Sequence, residues 1–447
     1  MSTTIPSENY LSLEEEAAIA IPYSDVMPYT EPADGKQWFR GNTHIHTQVS
    51  DGQATTMEAA LLFKKIGWNF IYLTDHNVAH ANLDCWVNTI KRPSAQKFIE
   101  RFTQVYPDYA PEQRTEEDGS ISYRMDTLGE IANRLNEPDK FMILPGCEIG
   151  ANSLNGEDIH CNILNANIAF KTKGLADGPA NLNYALGLRD ALVGRVNPEV
   201  IFSANHPLWK YYDVLPEYVI AHPSIRFFEI SNTGASPIFK VVENEPVVTT
   251  DQWWDVVNAV RATNGQPLIY GVAGDDIHSY ERFYNGTDLH GRLSYIMVNA
   301  SHLQAAKLVE EMYKGNFYSS KGAEFKAISY NASSKTLSVE VIPQDGYDVT
   351  IQFIGTKRGT DCSCQRFVEK NVTDELPEWL KKRPFNRDRK IPVYSPKVGE
   401  IMQENRSLQA SYAMKNDDLY IRAKVIMTAK DSKKPTLFAW TQPIANN

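Results

Sequence analysis

The sequence predicts an α/β barrel with its chemistry at the C-terminal ends of the strands, followed by a small β-sandwich-like domain. Three observations carry this expectation. Residues 38 to about 322 alternate strand-like and helix-like segments, the signature of βαβ units. Nearly every apolar run is followed at once by a side chain able to hold a metal: His44, His46, Asp51, His76, Glu148, His160, His206, Asp276 and His278. From about residue 323 the pattern changes to short alternating strands separated by turn residues.

The first unit is read most directly. WFRGNTHIHT supplies a strand, Thr55 and Glu58 form a capping box, MEAALLFKKI is a helix, and Gly67 stops it before the strand NFIYLTDHN. The same arrangement returns in FMILPGCEIG, DIHCNILNA, VIFSANHP and LIYGVAGDDIH, with RFFEISNTG between the last two. NLNYALGLRDALVGRV and TDQWWDVVNAVRATNG read as helices between them. SYIMVNA and the segment after it read as a last strand and helix, with Ser301 and Gln304 as another capping box. Strands presenting polar residues at their C-terminal ends describe a barrel with its active site at that face.

The interval between TDHN and GCEIG far exceeds the roughly 2 to 6 residues of an ordinary βα loop. We assign residues 82–140 as an insertion, expected to be a small helical subdomain near the barrel mouth, either a lid that shapes substrate choice or a packing element. The domain plan is thus an N-terminal arm over 1–37, a barrel over 38–322 and a C-terminal β domain over 323–447. Within the last, the Pro-, Lys- and Arg-rich stretch 375–397, which includes Arg383 and Arg389, reads as a solvated loop.

Composition narrows the function. A hydrophobic fraction of 42% excludes disorder over most of the length, and a formal net charge of −10 disfavours sequence-independent binding to nucleic acid. Five scattered cysteines make no disulfide framework. Cys147 and Cys161 alternate with Glu148 and His160 and therefore point into the core, while Cys362 and Cys364 are two loop thiols. The first residues lack a basic n-region, and no run reaches the roughly 18 apolar residues that span a bilayer. A soluble, cytoplasmic protein acting on small molecules is expected.

His44 and His46 stand two apart on a strand, so both imidazoles face one side and can chelate one ion. Asp276 and His278 repeat that spacing, with Asp275 on the opposite face. A carboxylate such as Glu148 can bridge two cations. Clustered cations lower the pKa of water and deliver hydroxide near neutral pH. Mixed nitrogen and oxygen ligands suit zinc, manganese or iron.

HIHTQVSDG, TDHN, PGCEI, IHCN, NHP and GDDIH resemble the successive motifs of the polymerase and histidinol phosphatase (PHP) family of metal-dependent hydrolases. The DHN motif and the ending FAWTQPI look most like its CehA/McbA-type branch. The resemblance implies a distorted (β/α)7 TIM-like barrel holding two or three divalent ions. It implies one ion on His44, His46, Glu148 and Asp276, a second on Glu148, His160 and His206, and a third on Asp51, His76 and His278. Glu148, Asp276 and His206 are assigned as catalytic as well as ligating.

The expected substrate is a small phosphate mono- or diester, with a carboxylic or carbamate ester as the alternative and a non-catalytic metal-stabilised module as a third reading. Lys210, Arg282 and Arg292 are candidate phosphate donors, and Asn77 and Asn232 candidate substrate-orienting residues. His80, His222, His290 and His302 fall outside the motifs.

Overall fold

The computed structural model describes residues 35–80, 83–166, 174–194, 199–210, 212–237, 247–382 and 387–446. The expected N-terminal arm, as far as residue 34, and Arg383 lie outside them. Up to residue 322 the strands are β1 (Gln37–Asn42), β2 (Phe70–Leu73), β3 (Trp86–Asn88), β4 (Gln113–Thr115), β5 (Ile121–Arg124) and β6 (Met142–Asn152). They continue with β7 (Asp158–Leu164), β8 (Ile201–Ala204), β9 (Phe227–Asn232), β10 (Tyr270–Gly274), β11 (Tyr295–Ala300) and β12 (Phe317–Lys321). The helices are α1 (Thr56–Lys65), α2 (Pro93–Val105), α3 (Leu128–Leu135), α4 (Gly178–Leu192), α5 (Pro216–Ile220), α6 (Thr250–Thr263) and α7 (Ala305–Tyr313).

The largest sheet runs β10-β9-β8-β7-β6-β2-β1 and continues through β11 and β12. It bends until its ends touch: Ile45, just beyond β1, bridges Ile277, just beyond β10, in parallel. There the His46 N–H donates to the Ile277 carbonyl at 3.2 Å and the Asp276 N–H to the His44 carbonyl at 2.9 Å. This closure brings residues from the first and last motifs into one site.

Strand alternation sorts the apolar residues. Phe70, Tyr72, Met142, Leu144 and Phe227 join Leu308 and Met312 of α7 in one buried cluster. Tyr313 on that helix donates to the carbonyl of Val200, at the start of β8, so α7 covers the end opposite the ligands. Ile71, Leu73 and Ile143 face the other way, against Met57 and Leu61 of α1 and Ile131 of α3. The Thr55–Glu58 capping box of α1 is present, and Gly67 follows in the left-handed region at φ +88°.

Four expectations need correction. First, the βα alternation breaks between β6 and β7, which form an antiparallel hairpin, and β7 is antiparallel to β8 as well. The Asn155–Gly156 pair supplies its turn, with Gly156 at φ +84°. His160 therefore reaches the site from near the start of its strand. Second, the insertion is mixed rather than helical: a sheet in the order β3-β5-β4 stands beside α2, and Asp118–Gly119 makes its turn. Third, α7 begins beyond Gln304 with no side-chain cap, so Ser301 and Gln304 do not form a capping box.

The fourth lies in the C-terminal region, built from β13 (Phe325–Asn331), β14 (Thr336–Val341), β15 (Tyr347–Lys357), β16 (Arg366–Asn371), α8 (Glu378–Lys381) and β17 (Asp388–Val393). It continues with β18 (Glu400–Asn405), β19 (Gln409–Ala413), β20 (Asp418–Ala429), β21 (Leu437–Thr441) and β22 (Ile444–Ala445). The stretch 375–397 is not wholly a solvated loop. β17 pairs with β16, and the buried Arg389 guanidinium contacts Asp213 at 3.1 Å. Elsewhere β13-β14-β19 form one sheet, whose Leu337 and Val339 share a buried cluster with Phe353 and Ala423 of β15 and β20. β21 pairs with β12, so these strands extend the large sheet. Among the described residues no helix is long and apolar enough to cross a membrane.

Candidate metal centre

All the ligand candidates named from the sequence gather at the strand ends. Glu148 is at their centre and its two oxygens face different ways. Oε2 lies 3.2 Å from His44 Nε2, 3.1 Å from His46 Nε2 and 3.2 Å from His76 Nδ1. Oε1 lies 3.1 Å from His160 Nδ1 and 3.4 Å from His206 Nε2, and it accepts from Asn205 Nδ2 at 2.9 Å.

Donor atoms form three overlapping groups: His44, His46, Glu148 and Asp276; His46, Asp51, His76 and His278; and His76, Glu148 and His160. The first matches the set the resemblance implies for one ion. The others differ from it: His76 joins His160 at Glu148, and His46 joins Asp51 and His278. His206 lies beside the third group, and its Nε2 is also 3.8 Å from Asp276 Oδ2.

The fit to a cation can be tested on the first group. His44 Nε2 is 3.1 Å from His46 Nε2, and Asp276 Oδ1 is 3.5 Å from the former and 3.1 Å from the latter. Ligands held about 2.0–2.2 Å from a four-coordinate ion lie roughly 3.3–3.6 Å apart. The 3.5 Å separation falls in that range and the two 3.1 Å separations fall just short of it, so a small spreading of the donors would seat a tetrahedral ion. Two imidazole nitrogens and two carboxylate oxygens, all buried and converging, are the right chemistry for one.

Orienting partners complete the picture. Glu229 on β9 accepts from His44 Nδ1 at 2.7 Å, which fixes the tautomer and leaves Nε2 free to ligate. Its other oxygen accepts from the His206 N–H at 3.0 Å and from Asn232 Nδ2 at 2.8 Å. Asp75 accepts from the N–H of Thr47 at 2.7 Å and of Ser50 at 3.1 Å, tying down the loop that carries Asp51. Asp158 Oδ1 lies 3.0 Å from His160 Nε2. Gly274 must be glycine, because a Cβ there would stand 2.7 Å from the His44 Cβ. Asn77, His206 and Asp276 all take positive φ, at 56°, 21° and 49°, and such conformations persist where the surroundings over-determine them.

Electrostatics point the same way. Burial opposes charge on His46, yet its contacts with Asp276 and Glu148 prevail and push it up to about 10. Against burial, Asp276, Glu148 and Glu229 raise His44 well above the ordinary value, and Asp158 and Glu148 do the same for His160. Burial, joined by the charges of His46 and His160, brings His76 down to about 4. Glu148 and Asp276 are held far below the carboxylate range because the imidazoles outweigh their burial. Without a cation the imidazoles hold protons against these carboxylates. A cation among them would take over that charge and release protons.

The cleft above the centre has a volume of about 680 Å³ and is lined by Asn77, Trp209, Lys210, Thr233 and Arg282. Lys210 Nζ is bound to Asp158, so this lysine is committed to the Asp158–His160 pair. Arg282 borders the cleft and donates to the Arg292 carbonyl at 2.9 Å. Arg292 is exposed and is not among the cleft-lining residues, and Asn232 positions Asp276 and Glu229 from behind. Asp275 points away, accepting from Asn42 Nδ2 at 2.8 Å and the Ser294 N–H at 2.8 Å. The buried Cys147 and Cys161 pack in the core.

Sequence reading missed Glu229, Asp158 and Trp209. Asp158 had a signal, the same two-residue spacing to His160 that marks His44 and His46. Glu229 had only its oddity as a lone carboxylate within an apolar strand.

No family model and no curated protein matches the chain. Solved structures similar to it include a two-domain protein of Bacteroides vulgatus containing a predicted PHP-like metal-dependent phosphoesterase, at 13% identity and a TM-score of 0.36 over 94% of this chain and 98% of that one. An amidohydrolase from Chromobacterium violaceum with bound sulfate and no metal matches at 12% identity and a TM-score of 0.26 over 54% and 88%. A protein of Bifidobacterium adolescentis described as a metal-dependent phosphoesterase matches at 13% and 0.25 over 56% and 90%. At these scores the functional assignment rests on the site's own geometry.

Proposed function

We propose that this chain is a metal-dependent hydrolase of small phosphate mono- or diesters, with the closed seven-strand ring read as a distorted (β/α)7 barrel of the PHP type. One observation carries the reading: two groups of metal donors share Glu148, and a third joins them through His46 and His76, all along a single open cleft. When bound, two or three divalent ions supply an activated water and neutralise charge developing on the ester oxygens. Glu148 would hold neighbouring ions, since its two oxygens face different sets of imidazoles. Asp276 and His206 hold their places with the help of Asn232 and Glu229. Asp51 and His278, with side chains 55% and 40% exposed, leave the third position facing solvent. Trp209 packs its ring 5.0 Å from His206 and 5.8 Å from His160, which walls the centre from one side.

Hydrolysis of a carboxylic or carbamate ester is the second reading, and one observation favours it. The cleft offers few cations for a phosphate, since Lys210 is already engaged by Asp158. A non-catalytic metal module would saturate each ion with protein ligands and bury it, whereas this centre borders an open cleft and its Asp51 and His278 side chains are 55% and 40% exposed. A hydrolysis screen of phosphomonoesters, phosphodiesters and carboxylic esters on the metal-loaded protein separates these readings. Preferential phosphoester turnover supports the first, ester-only turnover replaces it with the second, and metal without turnover of any ester favours the third.

A further inference from the structure

Beside the metal cleft lies a second cavity, of about 240 Å³, separated from it by His206, Trp209 and Ala235, which line both. Its far wall comes from the C-terminal strands. Phe438 and Trp440 of β21 stack with ring centroids 5.6 Å apart and planes at 18°, Pro207, Leu208 and Ile230 add to this apolar wall, and Ser231, Asn232 and Thr250 make the rest of the lining polar. The charged groups of this cavity are nearly all satisfied. Asp251 is matched by Lys424 Nζ at 2.6 Å, Arg422 at 3.0 Å and Trp440 Nε1 at 3.2 Å. Glu229 is taken up by His44, His206 and Asn232.

Lys321 is the exception. It ends β12, is half-buried, lines this cavity, and has no side-chain hydrogen bond or ion pair among the described residues. Burial opposes its charge, Asp275 favours the ammonium and Arg282 opposes it. A half-buried ammonium without a partner is a cost unless an anion completes it.

We propose that this cavity is a subsite of the active site for the part of the substrate remote from the scissile bond, and that it takes a planar group bearing a carboxylate or other anion, which pairs with Lys321. A cavity of about 150 Å³ holds benzene, so the volume of about 240 Å³ suffices for a single substituted ring, set against the aromatic wall with its polar substituent toward the polar side. Trp440 and Phe438 supply the apolar wall, and Lys321 supplies the specificity. This gives the C-terminal strands a place in substrate choice. The inference rests on the hydrolase reading for its meaning, and its test is kept independent of turnover.

The test uses the full chain with its metals and two probes of one shape, benzoate and benzamide, with tryptophan fluorescence and ligand-observed NMR as readouts. Benzoate is expected to bind about tenfold more tightly than benzamide. Lys321→Met is expected to abolish that preference at unchanged metal content, and Lys321→Arg to keep it. Equal affinity of the two probes for the unaltered protein would overturn the proposal. So would a preference that survives Lys321→Met, which would place benzoate on the metal ions. Failure of the hydrolase reading would appear separately, as absent turnover with benzoate binding intact.

Discussion

Glu229 Oε1 lies 2.7 Å from His44 Nδ1, although the two residues are 185 positions apart in the chain. Glu229 is on β9 and His44 follows β1, so they meet because the sheet closes at Ile45 and Ile277. Ring closure and ligand orientation are therefore one structural event. Glu229→Gln should lower metal affinity about 10–100-fold, as loss of an orienting carboxylate does elsewhere, with the far-UV spectrum unchanged. Competition titration against a chromophoric chelator measures it.

Asp275 and Asp276 are adjacent and opposite in role. Burial raises Asp275 to about 7, so a neutral amide resembles the acid it replaces. Asp275→Asn should keep full metal content and lose about 1–2 kcal/mol of stability through imperfect pairing with Asn42 and Ser294. Asp276→Asn should release metal. If Asp275→Asn were the variant that lost its ions, the register assigned to this strand would be wrong.

The junction between the barrel and the C-terminal strands depends on a buried arginine. Arg422 on β20 donates to both oxygens of Asp255 on α6, at 2.9 and 2.6 Å, and lies 4.6 Å from the centre of the Trp254 ring. Removing one partner of such a pair typically costs about 3–5 kcal/mol because the other charge stays buried. Arg422→Met should lower the denaturation midpoint accordingly. Arg422→Met with Asp255→Leu should recover much of the loss, read by urea unfolding.

Glu58 gives stability a pH dependence outside the metal centre. Burial raises its carboxyl from 4.5 to about 7, against donation from Tyr284 and Thr55. The folded state thus holds this proton more tightly than the unfolded chain. Its contribution is full below about pH 4.5 and is lost as pH rises toward 7, by an amount of order 3 kcal/mol. Glu58→Gln should flatten that slope relative to the unaltered protein in denaturation series at pH 4.5, 6 and 8.

The ligands were legible in the sequence because each belongs to a compact motif at the end of an apolar run. Their mutual geometry was legible only in part. His160 and His206, grouped by the resemblance, do converge on Glu148 Oε1, at 3.1 and 3.4 Å, whereas the approach of His46 to Asp51 and His278 depends on how the strands curve and not on their order. The antiparallel β7 was announced by Asn155–Gly156 and the insertion's hairpin by Asp118–Gly119, but ligand spacing dominated the reading. Arg389 appeared to be a loop charge because nothing local reveals that Asp213, far back in the chain, waits for it. Glu229 and Lys321 owe their significance to contacts, or the want of them, that exist only after closure.

Metal content by mass spectrometry on the purified protein, beside Glu148→Gln, tests the central claim most directly. The unaltered chain should carry two or three divalent ions, and Glu148→Gln should weaken more than one of them and abolish turnover while remaining folded. A folded, metal-free protein that resists reconstitution, or a Glu148→Gln variant that keeps its full complement of ions, would contradict it.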